Sequence, residues 1–222
     1  MMETIKTINL TPAQIRKRIN LRNPQLMHDL YLQKKNIILV ASHYGNWEWL
    51  MGLAGATPYH TLAVYKPLHN KRIDKIMKNL RSKAGTELVS MRWILKTLSN
   101  YNKENKLTFS LFVADQSPVR EEAEYWTTFL NQDTAVFVGI EKLAIRYNHA
   151  VLFCYTRRIR RGYYEVELKP VSLDPSTTHT HEITNRHLQY LEELIREEPA
   201  FWLWSHRRWK LKKLPVDNSH AK

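Results

Sequence analysis

His43 and Glu48, separated by four residues in the run His43-Tyr-Gly-Asn-Trp-Glu48, are the pair best suited to do chemistry. A neutral imidazole can take the proton of an attacking hydroxyl, while a carboxylate fixes its tautomer and stabilises the imidazolium that forms. Acyl transfer to a hydroxyl is the reaction such a pair suits, with His43 as base and Glu48 as its orienter. The pair follows directly on Asn36-Ile-Ile-Leu-Val-Ala-Ser42, a run whose apolar, β-branched character predicts a strand buried on both faces. His43 therefore falls at a strand's carboxyl end, where ligands gather in open α/β sheets. Gly45 permits a tight turn, and the following Trp-Glu-Trp-Leu-Met predicts a helix with Glu48 one turn inside, its carboxylate folded back toward the imidazole. Backbone N–H groups at Gly45 and Asn46, at that helix's start, are candidate donors to an oxyanion. Taken alone the pair is a weak signal, because Glu in a first helical turn is ordinary and a strand-end His is often only hydrogen-bonded.

Asp115 ends a second apolar run, Leu107–Ala114, and so is expected at the same edge as His43; it is read either as an active-site carboxylate or as a cap of the next loop. Gln116 offers an amide to an acyl carbonyl or to an ordinary loop hydrogen bond. Cys154 lies in the apolar run Val151-Leu-Phe-Cys-Tyr155 and reads as an inert buried thiol. No covalent nucleophile is evident, which points to direct transfer through a ternary complex. His179-Thr-His181-Glu182 has metal-binding residue types but sits in a Ser/Thr-rich loop without a further ligand set, so a solvated helix start is expected and no metal or cofactor.

The elements that must position these residues alternate. Strands are predicted over 61–65, 86–91 and 107–114, with helices over 70–83, 93–101 and 134–147. A hairpin follows from 150–157 and 163–168, then helices over 182–197 and 199–210. A leading helix opens at Thr11-Pro12 within a helical segment 1–34. This pattern predicts an α/β domain, 1–222, with a mostly parallel central sheet flanked by helices. With 43% hydrophobic residues and a single cysteine, the 222-residue chain can fill a core without disulfides. Its 34 Lys+Arg against 21 Asp+Glu give a formal charge of +13, which attracts anions: nucleic acid, an anionic membrane, or an acidic or phosphorylated partner. The closing segment Trp202-Leu-Trp-Ser-His-Arg-Arg-Trp-Lys-Leu-Lys-Lys212 mixes aromatic and basic residues, as both membrane-surface and base-stacking segments do. No run approaches the roughly 20 apolar residues of a spanning helix.

The string His43–Glu48 resembles the His-x4-Asp/Glu signature of the lysophospholipid acyltransferase superfamily, and its wording is similar to the lauroyl and myristoyl acyltransferases of lipid A assembly. Ala114-Asp-Gln-Ser-Pro118, Thr127-Thr-Phe-Leu130 with the stretch from Thr134 to Ala144, and Trp202–Lys210 resemble further segments in the same order, so the likeness spans roughly residues 35 to 210. It implies a glycerolipid acyltransferase-like fold and transfer from an acyl thioester, such as acyl carrier protein, to a hydroxyl of a lipid A precursor at the cytoplasmic face of an inner membrane. It also implies an active-site role for Asp115 and phosphate contacts by Arg81, Arg207 and Arg208; the alternatives are a solvated helix charge at Arg81 and, at Arg207 and Arg208, carboxylate pairs that dock the last helix. Both implied partners are acidic, and no nucleic acid is expected. A lysophospholipid acceptor and a basic surface-binding protein are the alternatives. The family carries an N-terminal hydrophobic anchor, whereas this chain begins about 36 residues ahead of the first long strand, so a truncated or peripheral form is expected.

Overall fold

The computed structural model describes residue 3 and residues 6–213; the remaining ends of the leading segment and of the expected domain lie outside the described residues. The chain forms α1 (Pro12–Arg16), β1 (Ile19–Leu21), α2 (Pro24–Leu32), β2 (Ile37–Ala41), β3 (His60–Tyr65), α3 (Lys71–Ser82), β4 (Glu87–Ser90), α4 (Ile94–Lys103) and β5 (Thr108–Val113). Then come β6 (Tyr125–Phe129), β7 (Gln132–Val136), α5 (Gly139–Tyr147), β8 (Ala150–Arg160), β9 (Tyr163–Ser172) and α6 (Glu182–Glu197). Seven strands make one sheet in the order β1-β9-β8-β2-β5-β3-β4, and β6 and β7 make a separate antiparallel pair. Strands β8, β2, β5, β3 and β4 run parallel, β9 returns antiparallel from β8, and β1 follows the direction of β9. The sheet is therefore the mostly parallel one that the strand–helix alternation predicts.

Strand β2 is buried along its whole length because each face of the sheet is covered. Ile38 and Val40 point into a core shared with α4, α5 and α6, where Leu98, Leu143 and Leu191 meet them. Ile37, Leu39 and Ala41 point the other way, against Met27 and Leu30 of α2 and against Leu50 and Leu53. The period of 2 thus divides one apolar run between two cores.

Four expected helices change, one of them at the site and three elsewhere. The leading helix is interrupted: Thr11 caps α1 through a capping box with Gln14, and the chain then adds β1 to the sheet edge before α2. Thr134 to Val136 belong to β7, paired with Tyr125–Thr127, and α5 begins only at Gly139, because the apolar residues ahead of it serve a hairpin first. The expected helix over 199–210 is a short 3-10 turn, Pro199–Phe201, followed by irregular chain that turns Trp202 and Trp209 toward the core and leaves Trp204 half exposed.

His149 and His187 are buried, and desolvation pushes each imidazole down to about 4. Between pH 6.5 and 4 the unfolded chain binds protons that these native rings refuse, so stability is full above pH 6.5 and falls as the pH is lowered, by up to about 3 kcal/mol per histidine. Urea denaturation across that range should show the decline, and His187→Leu should remove its share of the slope. A flat profile would refute the assignment.

Candidate active site

Register places the two central groups side by side. Ala41 of β2 pairs with Val113 of β5, and His43 and Asp115 each lie two residues beyond that pair at the sheet's carboxyl edge. The ring Nδ1 of His43 and Asp115 Oδ1 are 2.6 Å apart. The second oxygen of Asp115 accepts the indole N–H of Trp202 at 2.8 Å. Asp115 is 3% exposed, and burial pushes its carboxyl up. Hydrogen bonding to His43, the His43 charge and the Trp202 N–H outweigh that, and hold it below the ordinary carboxylate range. When the imidazole is neutral, an ionised Asp115 accepts its Nδ1–H, and the tautomer is then the one with Nε2 unprotonated. The Nε2 atom faces the Gln116 amide at 3.4 Å, and the His43 side chain keeps 20% of its surface open.

The chain's closing segment holds this pair from above. Tyr44 and Trp202 form an antiparallel bridge. The Gly45 N–H donates to Phe201 O and the Leu203 N–H to His43 O, both at 3.0 Å. Further along, His206 Nε2 accepts the Ser117 N–H at 3.1 Å, and Trp209 Nε1 donates to Thr134 Oγ1 at 2.9 Å. The same few residues thus fix the loop that carries His43, the loop that carries Asp115, and β7.

Glu48 does not fold back on His43. Residues Trp47–Ala56 form 3-10 turns in place of the expected α-helix, and the Glu48 carboxylate receives both Arg81 Nε at 2.8 Å and Arg81 Nη2 at 2.5 Å. Hydrogen bonding to Glu48 raises the Arg81 guanidinium above its usual value despite its burial. The carboxylate beside the imidazole is Asp115, and Arg81, expected to meet an acceptor phosphate, is engaged in a bidentate ion pair within the protein. Gly45 adopts positive φ as its turn requires, but its N–H is taken by Phe201 O and so is not a free oxyanion donor. Asn46 is buried and donates its side-chain amide to Glu3. Arg207 is exposed, whereas Arg208 is 3% exposed and donates to Ala135 O at 2.9 Å. Burial lowers the Arg208 guanidinium to about 10. Cys154 is buried, and desolvation pushes its thiol to about 12. Among the described residues no cluster of His, Cys, Asp and Glu is placed to hold a metal.

The fold is thus an α/β one, with an imidazole backed by a buried carboxylate at the carboxyl edge of a mostly parallel sheet. Residues 1–211 match the family of bacterial lipid A biosynthesis acyltransferases, and the chain belongs to that family. It is an acyltransferase of lipid A biosynthesis. No curated protein matches the chain. No helix of the described residues is long and apolar enough to cross a membrane.

The sequence presents Trp202 only as part of an aromatic and basic segment; its N–H on Asp115 carries more. Trp202→Phe keeps the ring's apolar bulk but leaves a buried carboxylate oxygen unpaired, so it should cost about 1–3 kcal/mol of stability in chemical denaturation. A loss below a few tenths would show that the bond contributes little. Arg81→Ala strips the Glu48 carboxylate of its partner and should destabilise by about 2 kcal/mol or more, with Arg81→Lys restoring only part because the fork geometry is lost.

Proposed function

We propose that His43 is the general base and Asp115 its orienting carboxylate in direct transfer of a fatty acyl group from a thioester, carried by acyl carrier protein, to a hydroxyl of a lipid A precursor. The observation that carries this reading is the 2.6 Å contact between Asp115 and Nδ1, which leaves Nε2 as the proton acceptor on the side open to solvent. In this mechanism Nε2 takes the hydroxyl proton as the oxygen attacks the thioester carbonyl. The resulting oxyanion collapses, the C–S bond breaks, and the imidazolium returns the proton to the departing thiolate. Gln116, whose amide is 3.4 Å from Nε2, is the donor nearest the reacting carbonyl.

Glu48 and Arg81 act together in this scheme: the ion pair fixes the chain beyond the His43 loop, and Glu48 supports the site without touching the imidazole. The net charge of +13 favours the approach of an acidic carrier and a phosphorylated glycolipid. The working place proposed is the cytoplasmic face of the inner membrane, with the protein bound at its surface.

Transfer from a labelled acyl carrier protein thioester to a penta-acylated or tetra-acylated lipid A precursor in detergent micelles tests the scheme. His43→Ala should abolish turnover, and Asp115→Asn should lower kcat by about 10²–10⁴. Glu48→Gln should lose less than Asp115→Asn. Equal activity of Asp115→Asn and wild type would remove Asp115 from the mechanism.

A further inference from the structure

The β3–β4 end of the sheet carries apolar surface that the catalytic scheme does not use. Tyr65 pairs with Ser90 in parallel strands, so the chain segments that follow, Leu68 and Met91–Trp93, leave the carboxyl edge together. This is the edge that carries His43. Leu68, Met91 and Trp93 there are each between 43% and 52% exposed. Helix α3, which follows Leu68, repeats Ile73, Ile76, Met77 and Leu80 along one face, yet none of its residues is buried, and Ile73 and Ile76 are half exposed. Met77 and Leu80 are partly covered where this 12-residue amphipathic helix meets β4 and the Trp47–Ala56 turns, whereas Ile73 and Ile76 leave the outer part of its apolar face to solvent.

The surroundings of this face are cationic. Lys71, Arg72 and Lys75 are exposed on the first turns of α3, and Arg92 and Lys96 flank the Trp93 ring at 5.3 and 5.7 Å from its centroid. A hollow of about 660 Å³ beside α3 is lined by His69, Lys71, Lys75 and Lys78, with Asp74 as the carboxylate among them. Asp74 is occupied by Lys78 at 2.7 Å, so the remaining charges of the hollow are positive. Half-exposed aliphatic side chains, an exposed tryptophan and a rim of Lys and Arg are what a lipid–water interface takes up: apolar groups below the headgroups, the indole among them, cations against phosphates.

We propose that α3, Leu68 and the Met91–Trp93 turn form a docking face for an anionic bilayer, which sets the sheet edge that carries His43 at the level of the lipid headgroups. This deepens the reading of an acceptor drawn from a membrane and rests on it for its purpose, but not for its physical basis. An acidic protein would match the charges equally; the isolated apolar side chains spread over two segments of one edge, beside a hollow whose lining is mostly charged and polar, favour lipid.

Flotation of the full chain with phosphatidylethanolamine vesicles, with and without phosphatidylglycerol, tests the proposal. Wild type should float with the anionic vesicles, less at high salt, and little with the neutral ones. The variant Ile73→Ser/Ile76→Ser/Trp93→Ser, altered only at exposed positions and checked for its fold by circular dichroism, should lose at least about tenfold in partition. The same variant should keep wild-type transfer to acceptor dispersed in detergent micelles. Vesicle binding unchanged in the variant, or equal on neutral and anionic vesicles, would overturn the docking face. Retention on an acyl carrier protein column that falls in the variant while vesicle binding persists would also overturn it and assign the face to a protein. Vesicle binding as expected with no transfer from micelles by wild type would uphold the face and refute the catalytic reading.

Discussion

The hydrogen bond between His43 and Asp115 depends on a single constraint, the parallel register of β2 against β5. Two residues beyond the last paired positions, Ala41 and Val113, the chains reach His43 and Asp115 at the same height. A shift of one residue in either strand would turn the whole apolar set of that strand to the opposite face. The two cores therefore enforce the register, and the register delivers the pair. Burial on both faces of β2 is in this sense part of the site's chemistry: it fixes the distance between two side chains that lie outside the core.

Charge is arranged around that pair at two depths. Asp115 is removed from water and kept ionised by hydrogen bonds from the imidazole and from Trp202, which outweigh the cost of burial. Arg208 is buried as well, and desolvation lowers its guanidinium, but Ala135 O takes one of its donors. Glu48 and Arg81 form a separate bidentate ion pair, with both partners half hidden or more. The closing segment ties these parts together through backbone bonds to both sides of Tyr44. Its sequence is rich in aromatic and basic residues, yet Trp202 and Trp209 serve packing and donate one hydrogen bond each, while Arg207 and Trp204 are exposed.

Much of the fold was legible because its signals are local. The run 36–42 has the length and β-branching of a buried strand, Asn70 and Thr11 are caps that the helices use, and strand–helix alternation leads to a parallel sheet. The errors arose where long-range pairing overrides local pattern. Thr134–Val136 has an apolar periodicity that a helix would accept, but Tyr125–Thr127 offers it a strand partner. The closing segment has helical spacing, but it runs as turns and irregular chain beyond a short 3-10 turn at Pro199, tied to Tyr44 by the bridge. At the site, His43, Asp115 and Gln116 were each singled out and lie together, while the spacing of Glu48 from His43 suggested a contact that the 3-10 turns do not make. The signal that favours Asp115 was present: it stands directly after an apolar run, one residue past Ala114, much as His43 follows Ser42. Nothing in the local sequence announces that Arg81, 33 positions from Glu48, would claim its carboxylate.

The most direct test of this account is the protonation state of the His43 ring, read by nitrogen-15 and proton magnetic resonance on the folded chain at neutral pH. A protonated Nδ1 with a strongly downfield proton, an unprotonated Nε2, and loss of the downfield signal in Asp115→Asn but not in Glu48→Gln is the predicted result. A ring protonated on Nε2, or a signal that vanishes with Glu48 and survives the loss of Asp115, would contradict it.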